Sequence, residues 1–274
     1  MTIDARRLRR LALALFTLFA ASAVPAAAQF NAPADTAVGE DYHVEVGIGW
    51  WNPDAQLQIN SESIGIPGSD IDLVDDLGIE QKYLIDLHGV LRPGKKHRIR
   101  ISRTPIRYEA ETTLTREFVF NGQRYRVGLP VSTAAQFDTW RFGYEYDFLY
   151  RSRGFVGVLF DLKYTNVDVE LNSPIGLEFA KAVAPIPTIG GVFRAYPAKS
   201  LAINGEVSFF KVPDNINENY RGRYLDYDFN ATYNFTNNVG AVFGLKSIDV
   251  FYEVERDSGD LVFKGWYFGG VARF

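Results

Sequence analysis

The 274-residue chain contains no cysteine. Disulfides, thiolate metal sites, a cysteine nucleophile and a lipid-modified N-terminal cysteine are therefore excluded, and strand pairing and burial must stabilise the fold without them. Histidine is nearly absent too, with three in the whole chain, which leaves few candidates for a general base. Beyond the first thirty or so residues there is no apolar run of the roughly 18 to 20 residues that a membrane-spanning helix needs. No linker, low-complexity tract or composition break interrupts Tyr42 to Phe274, so this stretch reads as one domain. If the chain lives in a membrane, it must cross as strands.

What is present begins with Arg6, Arg7, Arg9 and Arg10, an apolar run from Leu11 to Val24, and Ala26-Ala27-Ala28 ahead of Gln29. A basic start, a short apolar core and an Ala-x-Ala site make a secretory signal peptide. Residues 1–28 are read as that peptide, 29–40 as a short N-terminal periplasmic segment and 41–274 as the folded domain. Removal of residues 1–28 takes four arginines and Asp4, moving the net charge from −4 to −7. That balance argues against nucleic acid as a partner.

From Tyr42 onward hydrophobicity alternates with period 2, which places successive side chains on opposite faces of a strand. In Thr139 to Leu149, Trp140, Phe142, Tyr144, Tyr146 and Phe148 share one face, opposed by Arg141, Gly143, Glu145 and Asp147. Gln81 to Arg92 and Tyr224 to Phe235 repeat the pattern. One face is aromatic and uncharged and the other carries the charge, as expected where the outside meets lipid and the inside is polar. Tight turns at Pro93-Gly94, Arg151 to Gly154, Pro197 to Ser200 and Thr236 to Asn238 alternate with longer connections near 54–79, 111–135, 172–184 and 212–222, and a short last one at 257–259. The expectation is an all-β protein, a closed antiparallel transmembrane β-barrel of about ten strands, with eight the main alternative. Both termini would lie on the short-turn, periplasmic side. The apolar face shifts by one residue at Lys246-Ser247, where a β-bulge is expected. Trp50, Trp51, Trp140 and Trp266 are expected in aromatic girdles.

The chain stops inside a strand at Phe274, with Trp266, Phe268, Gly270 and Ala272 on the same face. This resembles the C-terminal signal of bacterial outer-membrane barrels, and Asp70 to Gly78 and Phe120 to Tyr125 look like segments of uncharacterised proteins of that kind. The resemblance implies the bacterial outer membrane as location. It also implies outer-membrane lipid, lipopolysaccharide and the insertion machinery as partners.

The inward faces bring Glu45, Asp86, His88, Arg98, Arg100, Arg141, Glu145, Asp147, Asp161, Lys163, Arg194, Glu206 and Asp226 into one lumen. Their first reading is a salt-bridged filling, and their second a selective polar path. Asp70, Asp72, Asp75 and Asp76 form an acidic loop. It reads as a solvated surface or, alternatively, as oxygen ligands for Ca²⁺ or Mg²⁺, although the EF-hand glycine and distant glutamate are missing. No other cofactor is implied. Asn121-Gly122 marks a two-residue hairpin, expected to extend two barrel strands. Its Arg124 and Arg126, with Phe118, Phe120 and Tyr125, are candidates for touching lipopolysaccharide phosphates or a partner. His43 and His97 fall at the short-turn side and His88 well inside, away from the outer rim where barrel proteases carry their acids and histidine. The leading functional expectation is a non-enzymatic barrel with an envelope-structural or small-solute passage role. The alternatives are a surface binding barrel and a barrel-embedded hydrolase.

Overall fold

The computed structural model describes residues 37–63, 65–213, 220–254 and 257–274. The stretch read as a signal peptide, residues 1–28, and most of the segment after it lie outside the described residues. Thirteen strands follow in order: β1 (Val44–Ser61), β2 (Ile71–Asp72), β3 (Leu84–Gly94), β4 (His97–Thr113), β5 (Phe118–Phe120), β6 (Gln123–Tyr125), β7 (Pro130–Arg151), β8 (Gly154–Ser173), β9 (Gly176–Ala198), β10 (Leu201–Lys211), β11 (Tyr220–Asn234), β12 (Val239–Val254) and β13 (Asp257–Arg273). Ten of them, all but β2, β5 and β6, pair antiparallel in sequence order, and β1 pairs with β13 to close the barrel. Among the described residues no helix is long and apolar enough to cross a membrane.

The stagger of this barrel follows from its register. Starting at Val44, partners run through Leu91, Ile99, Tyr144, Phe160, Ile189, Phe209, Leu225, Asp249 and Val262 and return to β1 at Gln56, twelve residues along from the start. Ten strands with that stagger tilt about 40° and lie about 10 Å from the axis, a bore that side chains can fill.

Several of the long strands change chemistry part-way along. On β1 the outward residues Val44, Val46, Ile48 and Trp50 give way to Asn52, Asp54, Gln56 and Gln58, while the inward residues pass from Glu45 to Trp51, Leu57 and Ile59. On β4 the outward row passes from Ile99 and Ile101 to Arg107, Glu109 and Glu111, and the inward row from Arg98 and Arg100 to Ile106 and Tyr108. β7 and β8 do the same. The short-turn half is therefore built for lipid outside and charge inside, and the long-loop half for water outside and an apolar core inside.

This inversion corrects several expectations. The connections expected at 54–79, 111–135 and 172–184 are partly strand: β1 runs on to Ser61, β7 begins at Pro130, and β8 and β9 meet in a two-residue turn at Pro174-Ile175. Period 2 persists through these stretches, but its polar face now looks outward. There is no bulge at Lys246-Ser247, since the β12 register to β11 and β13 is unbroken there. Lys246 and Ile248 both point inward, one into the charged half and the other into the apolar half, so the lumen changes and the register does not. The irregularities fall instead between Leu91 and Gly94, Tyr146 and Leu149, and Leu201 and Ile203. Trp51 is not in a girdle: it is fully buried and its Nε1 donates to the Gly265 carbonyl at 3.1 Å.

The Asn121-Gly122 turn forms as expected, with φ of 48° and 79°. However, β5 and β6 make a separate two-stranded sheet and do not extend β4 and β7. The hairpin folds over the barrel mouth and buries Phe118, Phe120 and Tyr125 completely, because the apolar inner rim offers them a dry surface. Those three rings are thus unavailable to an outside partner. Ile71, Leu73, Leu77 and Ile79 of the first loop are buried in the same core.

Candidate functional site: the filled lumen

All thirteen lumen residues expected from the alternation point inward, and most are joined into clusters. At the short-turn mouth, Arg98 donates to Glu145 at 2.6 Å, to Asp147 and to Glu40 at 3.1 Å. Farther in, Arg100 bridges Glu145 at 3.2 Å and Glu206 at 2.7 Å, while Arg141 joins Glu206 to Asp161, the latter at 2.6 Å. Lys163 donates to Asp226 at 2.6 Å and Ser208 at 2.5 Å. On the opposite wall Arg273 holds Glu45 at 2.5 Å, and Lys246 holds Asp86 at 3.0 Å. His88 stands opposite Gly47, where a Cβ would lie about 2.1 Å from the imidazole; the glycine makes room for the ring.

Sequence reading missed the residue at the centre of the mouth. Glu40 lies ahead of β1, in the segment expected to be periplasmic, and its carboxylate meets Arg92 at 3.0 Å, Arg98 at 3.1 Å and Arg194 at 3.3 Å, with the Tyr196 hydroxyl donating to it. Burial alone would raise this carboxyl; the cations of Arg194, Arg92 and Arg98 outweigh it and hold it down at about 2. Residues 38–40 cross the mouth: Val38 donates to the Lys199 carbonyl at 2.9 Å, Asn234 donates to the Val38 carbonyl at 2.7 Å, and Gly39 donates to Asn237 at 3.1 Å. Alternation could not reveal Glu40, because it belongs to no strand. Lys246 and Tyr267 were also missed, although they lie on inward rows; the Tyr267 hydroxyl bonds Asp228 at 2.8 and 3.0 Å.

Between the mouth and the apolar half lies a cavity of about 160 Å³ lined by Asp86, His88, Arg100, Glu206, Asp228 and Lys246. Its polar walls and size suit several waters. Above it Trp51, Leu57, Ile106, Phe137, Ile248 and Phe263 pack with the loop side chains into one continuous core. A gap within that core measures only about 20 Å³.

The acidic loop is internally bonded. Asp72 accepts the Val74 and Asp75 amides at 2.8 and 3.1 Å, Asp76 accepts the Asp72 amide at 2.8 Å, and Asp70 accepts Asn60 at 2.8 Å. A cation does reach it, from the second loop: Arg116 clasps Asp76, with Nε to Oδ1 at 2.5 Å, and donates to the Asp70 carbonyl at 2.6 Å. The Arg116 hydrogen bond holds the Asp76 carboxyl below its ordinary range. Among the described residues no group of three or more His, Asp or Glu is arranged to hold a metal ion. His97 faces outward at the short-turn end, with Nδ1 2.6 Å from the Tyr144 hydroxyl, and His43 precedes β1 at the same end.

No protein-family model matches the chain, and no curated protein does. Among solved structures it is similar to the outer membrane protease OmpT from Escherichia coli, with 10% identity over 85% of this chain and 97% of that one and a TM-score of 0.57. That likeness shows the fold alone. The chain is an outer-membrane-type β-barrel. Lower-scoring neighbours are Ail of Yersinia pestis (11% identity, 85% and 99% covered, TM-score 0.39) and the translocator domain of autotransporter NalP from Neisseria meningitidis (9%, 85% and 89%, TM-score 0.43). At those scores they add nothing to the argument. For this barrel, what its own side chains do inside the lumen is the better guide to function.

Proposed function

We propose that the protein is a non-conducting resident of the bacterial outer membrane with a structural role in the envelope. In this reading the short turns and both termini face the periplasm, the long loops face outward, and the exposed aromatic belt contacts outer-membrane lipid and lipopolysaccharide. The observation that carries it is the two-layer filling of the lumen. A charge network tied across the bore by Arg98, Arg100 and Arg141 is backed by an apolar core in which Trp51, Phe118, Phe120 and Tyr125 are fully buried. Water and ions have no favourable route through such a core, since a hydrated charge entering it loses its solvation without gaining a partner. The envelope-structural role is thereby favoured over small-solute passage. Planar-bilayer recording of the purified chain tests it: no single-channel conductance is expected at any voltage, and reproducible conductance steps would overturn the proposal.

A further inference from the structure

The segment that crosses the short-turn mouth belongs to no strand. Ala37 to Glu40 form a tight turn, with the Glu40 amide donating to the Ala37 carbonyl at 3.3 Å, and Ala37 packs on Tyr196 and Ala202. Its backbone bonds go to Lys199, Asn234 and Asn237 at the rim, and none of them is a rung of the barrel's ladder. The next part of the chain is anchored separately. Tyr42 is buried with the Arg92 and Arg273 guanidinium groups 5.3 and 5.5 Å from its ring, and the His43 and Val44 amides donate to the Phe274 carbonyl at 2.8 and 3.0 Å. Asp41, between the two anchored pieces, is exposed. We infer that residues 37–40 are a lid that swings on Asp41, and that the cavity beneath it is a blind chamber open to small polar solutes when the lid lifts. In the orientation proposed above, the chamber opens to the periplasm.

The lid lies directly on the cavity wall. Gly39 has a φ of 82°, and a Cβ there would lie 2.7 Å from Arg273 Nη1 and 2.8 Å from the Asn234 side chain. Glycine is needed both for the left-handed backbone and for the close approach. Arg273 in turn lines the cavity, together with Glu45, Asn204 and Thr232, so the segment that rests on it covers the short-turn side of that space. The other end is shut by side chains. Trp51, Phe137, Ile248 and Phe263 belong to the continuous apolar core, which offers a polar solute no partner. A volume of about 160 Å³ between the two closures takes a solute of a few heavy atoms in place of water.

What Glu40 leaves behind separates a lid from a fixed plug. Removing one member of a buried ion pair is costly when the other stays buried without a partner. Lifting the lid does not do that. Arg98 keeps Glu145 and Asp147, Arg92 keeps the Tyr150 hydroxyl at 3.0 Å and the Lys95 carbonyl at 3.3 Å, and Arg194 keeps Asn204 and the Phe155 ring, 5.4 Å away. Glu40 itself passes into water, and water reaches the place it vacates on Arg92 and Arg194. Every acid that remains in the mouth network still has its cation. The carboxylate of Glu40 is therefore a latch: it holds the lid down through Arg92, Arg98 and Arg194, and it can let go without leaving a bare charge in the barrel.

The test uses the full chain in detergent micelles, with His88→Cys as a reporter in the cavity wall and 2-aminoethyl methanethiosulfonate as the probe, followed by intact mass. With the native lid, labelling is expected to be slow but to reach completion. Two changes that unseat the lid in different ways, Glu40→Gln at the latch and Gly39→Val at the seat, are each expected to speed it at least tenfold. Val169→Cys, inside the apolar core, should stay unlabelled in all three backgrounds. Heat-modifiable gel mobility shows which variants are folded, and Glu40→Gln, which keeps the side chain's size, carries the test if Gly39→Val is not. Equal rates in all backgrounds would overturn the inference, because the lid would not be what closes the cavity. A native chain that never labels would overturn it too, by making the segment a fixed plug. Val169→Cys labelling in step with His88→Cys would show that the whole barrel loosens and that the chamber is not blind. Bilayer conductance is read separately: a conducting chain would undo the blind end, and the His88→Cys rates would still decide the lid.

Discussion

Replacing Arg98 by methionine removes one charge from the mouth while keeping most of the apolar stem. The three acids that Arg98 touches are left in different states. Glu40 keeps Arg92 at 3.0 Å and Arg194 at 3.3 Å, and Glu145 keeps Arg100 at 3.2 Å. Among the described residues Asp147 keeps no cation, and its Oδ1 already lacks a hydrogen-bond partner. The guanidinium also sits 4.1 Å from the Phe155 ring, a contact methionine only partly replaces. Removing one member of a buried pair and stranding the other costs about 3–5 kcal/mol, against about 0–1 kcal/mol for an exposed pair. The full amount is therefore expected, and most of it should trace to Asp147.

That attribution makes a second, sharper expectation. Asp147→Asn added to Arg98→Met should recover about 2 kcal/mol, within the range seen for residues in one network, because the stranded charge is gone. Reversible urea unfolding in lysophospholipid micelles, followed by tryptophan emission, measures all four corners of the cycle. A loss below about 1 kcal/mol for Arg98→Met would show that the mouth behaves like solvated surface. Additivity within about 0.5 kcal/mol would show that Asp147 is not the stranded partner.

Adjacent tryptophans should respond oppositely: Trp51→Ala is expected to cost about 3–5 kcal/mol in the same titration, and brominated lipid should quench Trp50 but not Trp51. Because the chain has no cysteine, single-cysteine variants report exposure cleanly. Gln56→Cys and Asp168→Cys should react with a membrane-impermeant maleimide in lipid vesicles and Ile48→Cys and Leu162→Cys should not; equal labelling of all four would refute the polarity inversion. The Asp76 carboxyl is held low by Arg116, so its contribution to loop order is present above the ordinary carboxylate pKa and lost as pH falls through the depressed value. Amide exchange near Leu73 to Ile79 should therefore speed up below about pH 4, and Asp76→Asn should abolish that dependence.

Much of the barrel was legible because a lipid-facing strand has a strict code. Trp140 to Phe148 can alternate with Arg141 to Asp147 only if one row meets hydrocarbon and the other a polar interior. From that code the strand number, the tight turns and all thirteen lumen residues followed. It failed where its premise ended. Beyond Trp50 on β1 and Ile101 on β4 the outward residues are mostly Asn, Gln, Asp, Glu and Arg, which read as loop to anyone expecting lipid. The shift of the apolar pattern at Lys246-Ser247 is the visible trace of this change, and the register there is unbroken. Glu40 was invisible for a different reason: its partners Arg92, Arg98 and Arg194 come from three strands, and only closure of the barrel brings them to one carboxylate.

The inversion also explains why one chain needs two kinds of interior. In the lipid-embedded half, strands gain no hydrophobic advantage from an apolar lumen large enough to matter, since their apolar residues already face hydrocarbon; charge pairs fixed across the bore supply the cross-links. Beyond the membrane, water solvates the outer wall, and the strands behave like those of a soluble barrel that must bury an apolar face to stand at all. The loops complete that core, with Ile71, Leu73, Phe118 and Tyr125 closing over Leu57, Ile106 and Phe137. A change that loosens the loops therefore exposes the strands' own apolar face, and the half outside the membrane should unfold as a unit while the embedded half stays paired. Amide exchange of Leu57-to-Gln58 and Val167-to-Val169 in a Phe120→Ala variant, compared with Val46-to-Ile48 and Val156-to-Val158, distinguishes this from whole-barrel opening. Acceleration confined to the first two segments is the expected result, and uniform acceleration would mean that the two interiors are not separable.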